Sequence, residues 1–484
     1  MKATVSRLGP VAWVAAGALA LRLAIGNGFA NYDSFYSLVW GSELARGESL
    51  NYSAALPPTP HPLATLFGAL LSPLGDGAET ALVVVAFLSL AALAYFVYRL
   101  GELWLNRWVG VAAAAIVLTR VPMLDFGVRA YVDIPYIALV LAALLVETRR
   151  PRAGWPVLAL LGVAGLLRPE AWLFSGAYLL YLAWPERKLP DPRLIALAAA
   201  APVGWAVFDL AVTGDALYSL TGTQDTVGTL HRDTGLFDAL RLAPRRLGEI
   251  LREPVLLGAA GGMILSLAFL RRRVALGAAA TALALGAFLV LATAGLAVIT
   301  RYLLLPGALL AIFAAAGLLG WLSLERDDPW RRRWAAFAAL VVVATVAFGP
   351  QQANRLRDLR ERIADQERIR DQLHDVTEEP AFDRDCSRIA LPSTQGVPLL
   401  ALWLDLRPSE ISTLPVAPRP NGYLIEPANR EVAELFALDP NDPRSRFVPP
   451  IRLATTIANS SWLVFGSCDT ASPAAPGATR PGPR

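Results

Sequence analysis

The stretch Asn31-Tyr32-Asp33-Ser34-Phe35-Tyr36 follows the first apolar run of the chain, Val11 to Ile25, and opens a polar segment that reaches Pro62. It places a carboxylate between two tyrosines, where a membrane helix would leave the bilayer. Tyrosine favours that boundary because its ring is apolar and its hydroxyl is polar. We therefore expect Asp33 to lie at a membrane surface and later segments to form the walls of a site around it.

The composition divides the chain into two regions. Of its 484 residues, 55% are hydrophobic and 17% are charged, against about 25% charged residues in a typical soluble protein. Long Ala/Leu/Val runs alternate with short polar joints as far as about Pro350, and the sequence beyond is typical of a soluble protein. This pattern predicts a polytopic α-helical membrane domain over residues 1–350, followed by a soluble region.

The apolar runs predict about eleven transmembrane helices, since a span needs about 20 apolar residues. The first is expected to be retained rather than cleaved as a signal peptide, because Arg22 interrupts its apolar core. The candidate spans run over residues 8–27, 80–100, 107–122, 134–148, 155–168, 171–184, 193–211, 255–270, 274–298, 303–323 and 334–350.

Basic residues predict the orientation of these spans. They cluster at every second joint, and the positive-inside rule places those joints in the cytoplasm. The clusters are Lys2/Arg7, Arg99/Arg107, Arg149/Arg150/Arg152, Arg187/Lys188/Arg193, Arg271/Arg272/Arg273 and Arg326/Arg331/Arg332/Arg333. The N-terminus is then inside, and an odd number of crossings puts the C-terminal region outside a plasma membrane. The net charge of +4 does not indicate nucleic-acid binding, because no basic stripe with interleaved aromatic residues occurs.

Two segments of the predicted outer loops are expected to lie along the membrane surface. Leu63–Leu74, inside the first outer loop at residues 28–79, is too short to span. Asp238–Glu253 has leucines between arginines and predicts an amphipathic helix that is broken or kinked at Pro244. A simple connector is the alternative for this second segment.

The sequence of the soluble region predicts three parts, namely a charged helical stalk at 351–379, a small extracytoplasmic α/β domain at 380–470 and a disordered tail at 471–484. Cys386 and Cys468 either pair in an oxidising compartment or remain as two buried thiols. The expected strands are Arg388–Pro392, Ile411–Val416 and Trp462–Gly466, and the expected helices are Val397–Asp405 and Asn429–Leu438.

Two acids stand at the outer ends of predicted spans. Asp33 could act as a general base or cap a helix beside the tyrosines. Asp133, in Arg129-Ala130-Tyr131-Val132-Asp133-Ile134-Pro135-Tyr136, could face the same cavity or cap its own helix, as Pro135 in the first turn indicates. Asp125, in the same loop, is a weaker candidate.

Four further residues are candidates for binding or structure. Arg301 begins the tenth span on the outside and could fork onto a phosphate or snorkel to the interface. His61 could bind phosphate or cap the interfacial helix. Arg168-Pro169-Glu170 interrupts an apolar stretch, so we expect Arg168 to pair with Glu170 at the apex of a hairpin. No metal ligand is assigned, although scattered acids leave a divalent cation open.

The order of these motifs resembles the C-superfamily (GT-C) glycosyltransferases. The resemblance is to the branch of the protein O-mannosyltransferases and the lipid A aminoarabinose transferases (family 39/83-like) and covers roughly residues 8–325. It rests on the acid after the first span, His61-Pro62, the acid before the fourth span, Leu166–Ala171 and Arg301–Pro306.

The chain departs from that family at two motifs. Asp33 stands alone where the family often has two adjacent acids, and His61-Pro62-Leu63 replaces the usual His-Pro-Pro. The region from Gln351 onward carries no motif of the family.

The resemblance implies an integral membrane glycosyltransferase that moves a sugar from a polyprenyl-phosphate donor to an extracytoplasmic glycan, lipid or protein acceptor. It implies that Asp33 activates the acceptor as general base, that Asp133 is the second catalytic acid and that Arg301 lies near the lipid phosphate. Tyr302, His61 and Arg129 are expected to help bind that phosphate, with Tyr32, Arg168 and Glu170 in support.

Two alternatives use the same hydrophobic frame. A transporter or flippase of lipid-linked sugar would carry functional charges near the middle of the membrane in both halves. A lipid-linked oligosaccharide ligase or polymerase would have arginine-rich outer loops, and the 212–254 loop contains Arg232, Arg241, Arg245 and Arg246. The charges at the outer ends of spans favour the glycosyltransferase.

Overall fold

A computed structural model describes residues 2–184, 190–386, 388–413, 422–438 and 455–468. The contacts divide the chain into two compact units, residues 1–50 with 58–367 and residues 51–57 with 368–484. Three predictions lie wholly or partly outside the described residues, namely the disordered tail at 471–484, the Arg187/Lys188 joint and the end of the strand Ile411–Val416.

The first unit is helical. The short 3₁₀ segments Ser72–Leu74, Thr300–Leu303 and Gly320–Ser323 adjoin its α-helices. The helices are α1 (Lys2–Ile25), α2 (Tyr32–Ala45), α3 (Pro62–Leu71), α4 (Gly77–Trp104), α5 (Arg107–Val117), α6 (Val121–Val128), α7 (Asp133–Arg149), α8 (Trp155–Gly165), α9 (Glu170–Ala183), α10 (Pro192–Thr213), α11 (Tyr218–Thr229), α12 (Gly235–Leu251), α13 (Glu253–Thr293), α14 (Leu304–Leu319) and α15 (Pro329–Ala347). The charged helix α16 (Gly349–Glu378) begins in this unit and ends in the second.

Several helices are long and apolar enough to cross a membrane. In the described part of the chain, four qualify by length and composition, namely Gly77–Trp104, Pro192–Thr213, Glu253–Thr293 and Thr300–Ser323. The pairs α5 with α6 and α15 with α16, bent by 66° and 48°, raise the number to six if each pair is one span. The chain is therefore a multi-pass membrane protein, and the count of eleven crossings stays a prediction.

Helix α13 consists of two halves separated by Leu270, whose φ of −126° and ψ of 24° are not helical. In the first half, a Cβ on Gly262 would lie 2.0 Å from the carbonyl oxygen of Phe313 in α14. In the second half, Ala287 lines a small cavity together with Leu305, near the start of α14. A straight helix would separate residues 262 and 287 by about 37 Å, but residues 305 and 313 are only about 12 Å apart. The chain therefore reverses direction near Leu270, and both halves pack along α14.

We expect Gly262→Ala to destabilise the protein by about 1–3 kcal/mol, because the added methyl overlaps backbone that cannot move aside. The matched control is Gly286→Ala in the second half of α13, where an added Cβ meets nothing within 4 Å. That change should be neutral or slightly stabilising, since alanine favours helix. Thermal unfolding in one detergent compares the two variants, and a wild-type midpoint for Gly262→Ala would contradict the close packing.

The two segments expected at the membrane surface are helical. Helix α3 occupies most of Leu63–Leu74 and packs on α2 so closely that a Cβ on Gly68 would lie 2.1 Å from the carbonyl oxygen of Ser37. Helix α12 occupies the second segment, so the simple connector is wrong. Of the two expectations at Pro244, the break is wrong, because α12 continues through the proline, and the kink stays a prediction. Proline removes only the hydrogen bond to the carbonyl of Leu240, a residue that is 57% exposed, so water can bond that carbonyl instead.

The described residues of the second unit form a small α/β arrangement. Its elements are β1 (Ile389–Ala390), α17 (Val397–Trp403), β2 (Gly422–Pro427), α18 (Arg430–Val432) with the π-helical turn Ala433–Ala437, β3 (Thr455–Ala458) and β4 (Trp462–Ser467). These strands form one sheet in the order β1-β2-β4-β3, with β1 parallel to β2 and the other pairs antiparallel. The strand β2 was not predicted, because all six of its residues are buried and its sequence does not alternate between apolar and polar residues.

Cys386 and Cys468 form a disulfide within the second unit. Of the two alternatives left by the sequence, the structure has the paired one. Disulfides persist in oxidising compartments and are rare in the cytosol. The bond is therefore evidence about which side of the membrane the unit faces.

Candidate active site

Asp33 lies in the first turn of α2 but does not cap it. The N-cap is Asn31, whose side-chain oxygen accepts hydrogen bonds from the backbone N–H groups of Asp33 at 2.8 Å and Ser34 at 3.3 Å. Asn31 is the residue type best suited to this position. The carboxylate of Asp33 instead accepts a hydrogen bond from Nη1 of Arg301 at 2.8 Å.

The segment before α2 is bound to the loop that precedes α7. Asn31 donates its side-chain N–H to the carbonyl of Arg129 at 2.7 Å, and the hydroxyl of Ser34 donates to the carbonyl of Ala130 at 2.6 Å. Ala130 has a φ of 55°, a left-handed conformation that costs free energy in a non-glycine residue. These bonds fix Asp33 relative to the loop that carries Arg129.

The ion pair of Asp33 and Arg301 joins residues that are 268 positions apart in the sequence. Arg301 lies in the 3₁₀ turn Thr300–Leu303 at the start of α14. The two side chains are 19% and 21% exposed, so both reach solvent while remaining largely enclosed. A substrate group can therefore approach both without a change in fold.

A second ion pair lies deeper beside the first. Arg168 donates to a carboxylate oxygen of Asp133, and these side chains are only 4% and 3% exposed. The predicted partner, Glu170, lies 3.8 Å from Arg168, so the expected pairing exists, but the hydrogen bond goes to Asp133. Sequence spacing favoured the neighbour two residues away, whereas the tertiary packing brings α7 alongside the α8–α9 turn.

Tyr302 connects the two ion pairs. Its ring centre lies 5.6 Å from the guanidinium of Arg301 and 5.0 Å from that of Arg168. Cations favour the face of an aromatic ring, so one ring can hold both arginines. Asp133, Glu170, Arg301 and Tyr302 also line one cavity of about 10 Å³, which is room for about one water-sized group.

Arg129 and Tyr32 flank the Asp33 carboxylate. Arg129 pairs with Asp125 at 3.6 Å and lies over the ring of Phe29 at 5.5 Å. Its charge also interacts with that of Asp33. Tyr32 contacts the ring of Tyr36 edge-on at a centroid distance of 5.0 Å. The structure therefore brings the predicted outer residues into one neighbourhood.

His61 is buried at the start of α3, and its side chain makes no capping hydrogen bond there. The capping alternative is therefore wrong. Burial, and after it the positive charge of Arg168, lowers the pKa of His61 to about 3. The imidazole is consequently neutral at physiological pH and adds no positive charge to the site.

A polar network beside His61 was missed by the sequence analysis. Asp209 is buried and accepts hydrogen bonds from the backbone N–H and the hydroxyl of Ser219 at 2.9 and 2.8 Å. That hydroxyl accepts from Nε1 of Trp205 at 2.9 Å, and the Trp205 ring meets His61 edge-on at 5.8 Å. An acid inside the apolar run 193–211 was the available signal, since such residues are costly unless bound.

Glu249 of α12 holds the turn that carries Arg301. Its carboxylate accepts a hydrogen bond from the hydroxyl of Thr300 at 2.7 Å and pairs with Arg246 at 3.1 Å. Thr300 is the residue immediately before Arg301, so α12 restrains the position of that guanidinium. The sequence analysis placed α12 on the membrane surface and gave Glu249 no role.

The described residues contain no group of three or more His, Cys, Asp or Glu side chains that could hold a metal ion. The groups available for chemistry at the site are carboxylates, guanidinium groups and a tyrosine.

The lowered pKa of His61 predicts a pH-dependent stability. Between about pH 6.5 and pH 3 the unfolded chain binds a proton at His61 that the folded chain does not, so stability rises with pH across this window. We expect His61→Asn to flatten that dependence by up to about 1.4 kcal/mol per pH unit. Unfolding midpoints measured from pH 4 to pH 7 test this. The control is His231→Asn, since His231 is exposed, and an identical slope for His61→Asn and the wild type would contradict a neutral buried imidazole.

Residues 57–207 match the family model described as dolichyl-phosphate-mannose-protein mannosyltransferase. That segment includes His61, Arg129, Asp133, Arg168 and Glu170. No functionally curated protein matched the chain by sequence.

Among solved structures, the chain is similar to ArnT from Cupriavidus metallidurans. The form bound to undecaprenyl phosphate gives a TM-score of 0.54 at 13% identity over 94% of this chain and 98% of that chain. The apo form gives 0.54 at 13% identity over 95% and 98%. The oligosaccharyltransferase AglB from Archaeoglobus fulgidus, in complex with an inhibitory peptide and a dolichol-phosphate, gives 0.47 at 11% identity over 88% and 70%.

These matches agree with the resemblance that the motifs indicated. The chain has a fold similar to that of ArnT, and its residues 57–207 match the dolichyl-phosphate-mannose-protein mannosyltransferase family model.

Proposed function

We propose that the protein is an integral membrane glycosyltransferase that moves a sugar from a polyprenyl-phosphate donor to an extracytoplasmic acceptor. The observation that carries this proposal is the ion pair of Asp33 and Arg301, at 2.8 Å and partly exposed. It puts a proton acceptor beside a phosphate-binding group, and glycosyl transfer from a sugar phosphate needs both.

Asp33 acts as general base in this proposal. It takes the proton of an acceptor hydroxyl as that oxygen forms a bond to the anomeric carbon of the donor sugar. The bond between the anomeric carbon and the phosphate oxygen breaks, and the polyprenyl phosphate leaves with the electron pair. Because the acceptor attacks opposite the leaving phosphate, the anomeric centre is inverted.

Arg301 offsets the charge that develops on the leaving phosphate. A guanidinium has five N–H donors, so Arg301 can keep its bond to Asp33 and still donate to a phosphate oxygen. Arg129 adds a second positive charge near the Asp33 carboxylate. A lipid phosphate stays at the bilayer surface, which is where the start of a membrane helix places Arg301.

Asp133 is assigned a positioning role, which revises its expected role as a second catalytic acid. Its carboxylate is nearly inaccessible and is engaged with Arg168. The pair holds Arg168 against Tyr302, and the ring of Tyr302 also contacts the guanidinium of Arg301. Removing one partner of a buried pair leaves the other charge unpaired, at a cost of about 3–5 kcal/mol. This pair therefore provides a rigid support for the accessible one.

Asp33→Asn should lower the rate of sugar transfer by about 100-fold or more, because the amide cannot take the proton of the acceptor hydroxyl. Donor binding should persist, since Arg301 is unchanged. The assay incubates purified protein with radiolabelled polyprenyl-phosphate monosaccharides and acceptor membranes and measures label in the acceptor. The matched control is Asp238→Asn, which neutralises an exposed ion pair with Arg241 on α12 and should leave transfer unchanged. An active Asp33→Asn enzyme would refute the assignment of the base.

We also propose that the second unit faces the outside of the plasma membrane and that the N-terminus is cytoplasmic. The disulfide of Cys386 and Cys468 supports this side, because it needs an oxidising environment. The basic cluster Arg271–Arg273, at the turn between the halves of α13, supports a cytoplasmic position for that turn.

A membrane-impermeant thiol reagent tests this orientation in intact cells. Arg430→Cys, in an exposed position of the second unit, should be labelled without permeabilisation. Arg272→Cys, also exposed, should be labelled only after the membrane is opened. The reverse pattern would invert the proposed topology.

A further inference from the structure

Three segments meet at a junction of arginines that the proposed glycosyl transfer does not use. Nη1 of Arg120, between α5 and α6, donates to the carbonyl of Leu251 at the end of α12 at 2.9 Å. The side chain of Gln352, in α16, donates to the carbonyl of Thr119 at 2.7 Å. Arg252, between α12 and α13, donates to the neighbouring Gln351 at 3.3 Å. We call Arg120, Arg252 and Arg355, the last one turn further along α16, the arginine junction.

The arginine junction has more positive charge than its neighbours offset. Arg120 is only 7% exposed, and among the described residues no carboxylate pairs with it and its Nε has no hydrogen-bond partner. Its two bonds go to the carbonyl of Leu251 and the hydroxyl of Thr119. The charges of Arg252 and Arg355 act on it as well. A buried cation without a counter-charge is costly, so the junction is suited to an anion.

The junction lies at the ends of three spans that the sequence predicts, at residues 107–122, 255–270 and 334–350. Arg120 is at the bend of the α5–α6 pair, Arg252 directly precedes α13, and Arg355 follows the bend of the α15–α16 pair. Lipid phosphates lie at the ends of membrane spans, and guanidinium groups bind phosphate oxygens.

Arg252 also lines a cavity of about 530 Å³ between α12 and α13. Leu256 and Leu257 form an apolar part of its wall, and Leu257 is 67% exposed. The two carboxylates in the wall are already engaged, since Glu249 pairs with Arg246 at 3.1 Å and Glu253 with Arg252 at 3.3 Å. The cavity therefore combines a cationic rim with an apolar surface that continues along a membrane helix.

We propose that the arginine junction binds the phosphate of a phospholipid head group, with an acyl chain lying along Leu256 and Leu257. Guanidinium groups match phosphate oxygens with two parallel hydrogen bonds, and the apolar wall distinguishes a lipid from free phosphate. The three arginines of the junction take no part in the proposed glycosyl transfer, and the proposal does not depend on that activity.

The test compares phosphatidylglycerol binding to the wild-type full chain and to the double variant Arg252→Gln/Arg355→Gln. Arg120 is left unchanged because it also holds the end of α12. The matched control is Arg241→Gln/Arg357→Gln, which removes the same charge at exposed positions of α12 and α16. Native mass spectrometry of detergent-solubilised protein, titrated with the lipid, measures the affinity. We expect at least a tenfold loss in the junction variant and no loss in the control.

Two further probes identify the part of the lipid that binds. Diacylglycerol, which lacks the phosphate, should not bind, and inorganic phosphate alone should not displace the phospholipid or raise the unfolding temperature. Equal affinity in the junction variant, equal binding of diacylglycerol or displacement by inorganic phosphate would each overturn the proposal. The single variant Arg355→Gln replaces the double variant if the latter does not fold, with an expected loss of at least threefold relative to Arg357→Gln.

Discussion

The ion pair of Asp33 and Arg301 is the interaction on which the organisation of the site depends. It brings the first outer loop to the start of α14, a helix that is almost wholly buried among its neighbours. Two further restraints fix its ends. Asn31 and Ser34 bind the backbone of the loop before α7, and Glu249 binds the hydroxyl next to Arg301. The positions of both members of the pair are therefore restrained by neighbouring groups.

The two ion pairs differ in exposure, and this difference matches the two roles proposed for them, proton transfer and positioning. The side chains of Arg168 and Asp133 are only 4% and 3% exposed, whereas those of Arg301 and Asp33 are 21% and 19% exposed. A proton acceptor has to reach its substrate, and a positioning pair has to exclude it. Tyr302 joins the two by contacting both guanidinium groups, so a rigid buried pair can fix an accessible one without sharing a carboxylate.

Burial also changes what individual residues can contribute. His61 was expected to bind phosphate or cap α3. Its burial beside Arg168 keeps it neutral, so it contributes no positive charge to the site. The arginine junction shows the opposite case, in which an arginine stays charged where few counter-charges are present. A carboxylate, an imidazole and a guanidinium respond differently to the same low-dielectric surroundings, because their charged forms differ in how readily they give up a proton.

The sequence by itself determined the class of protein and the side of the membrane on which the charged motifs were predicted to lie, because hydrophobic runs and basic joints are local features. It also singled out Asp33, Asp133 and Arg301, since each stands at an end of an apolar run. Only the tertiary structure decided the partners. In the folded chain Asp33 pairs with Arg301, and Arg168 donates its hydrogen bond to Asp133 rather than to Glu170. The two cysteines form a disulfide, and Asp209 and Glu249 make hydrogen bonds that the sequence did not indicate. The tertiary structure also carried α12 through Pro244 and formed β2 without an alternating pattern. These outcomes depend on which distant segments pack together, and spacing along the chain does not encode that packing.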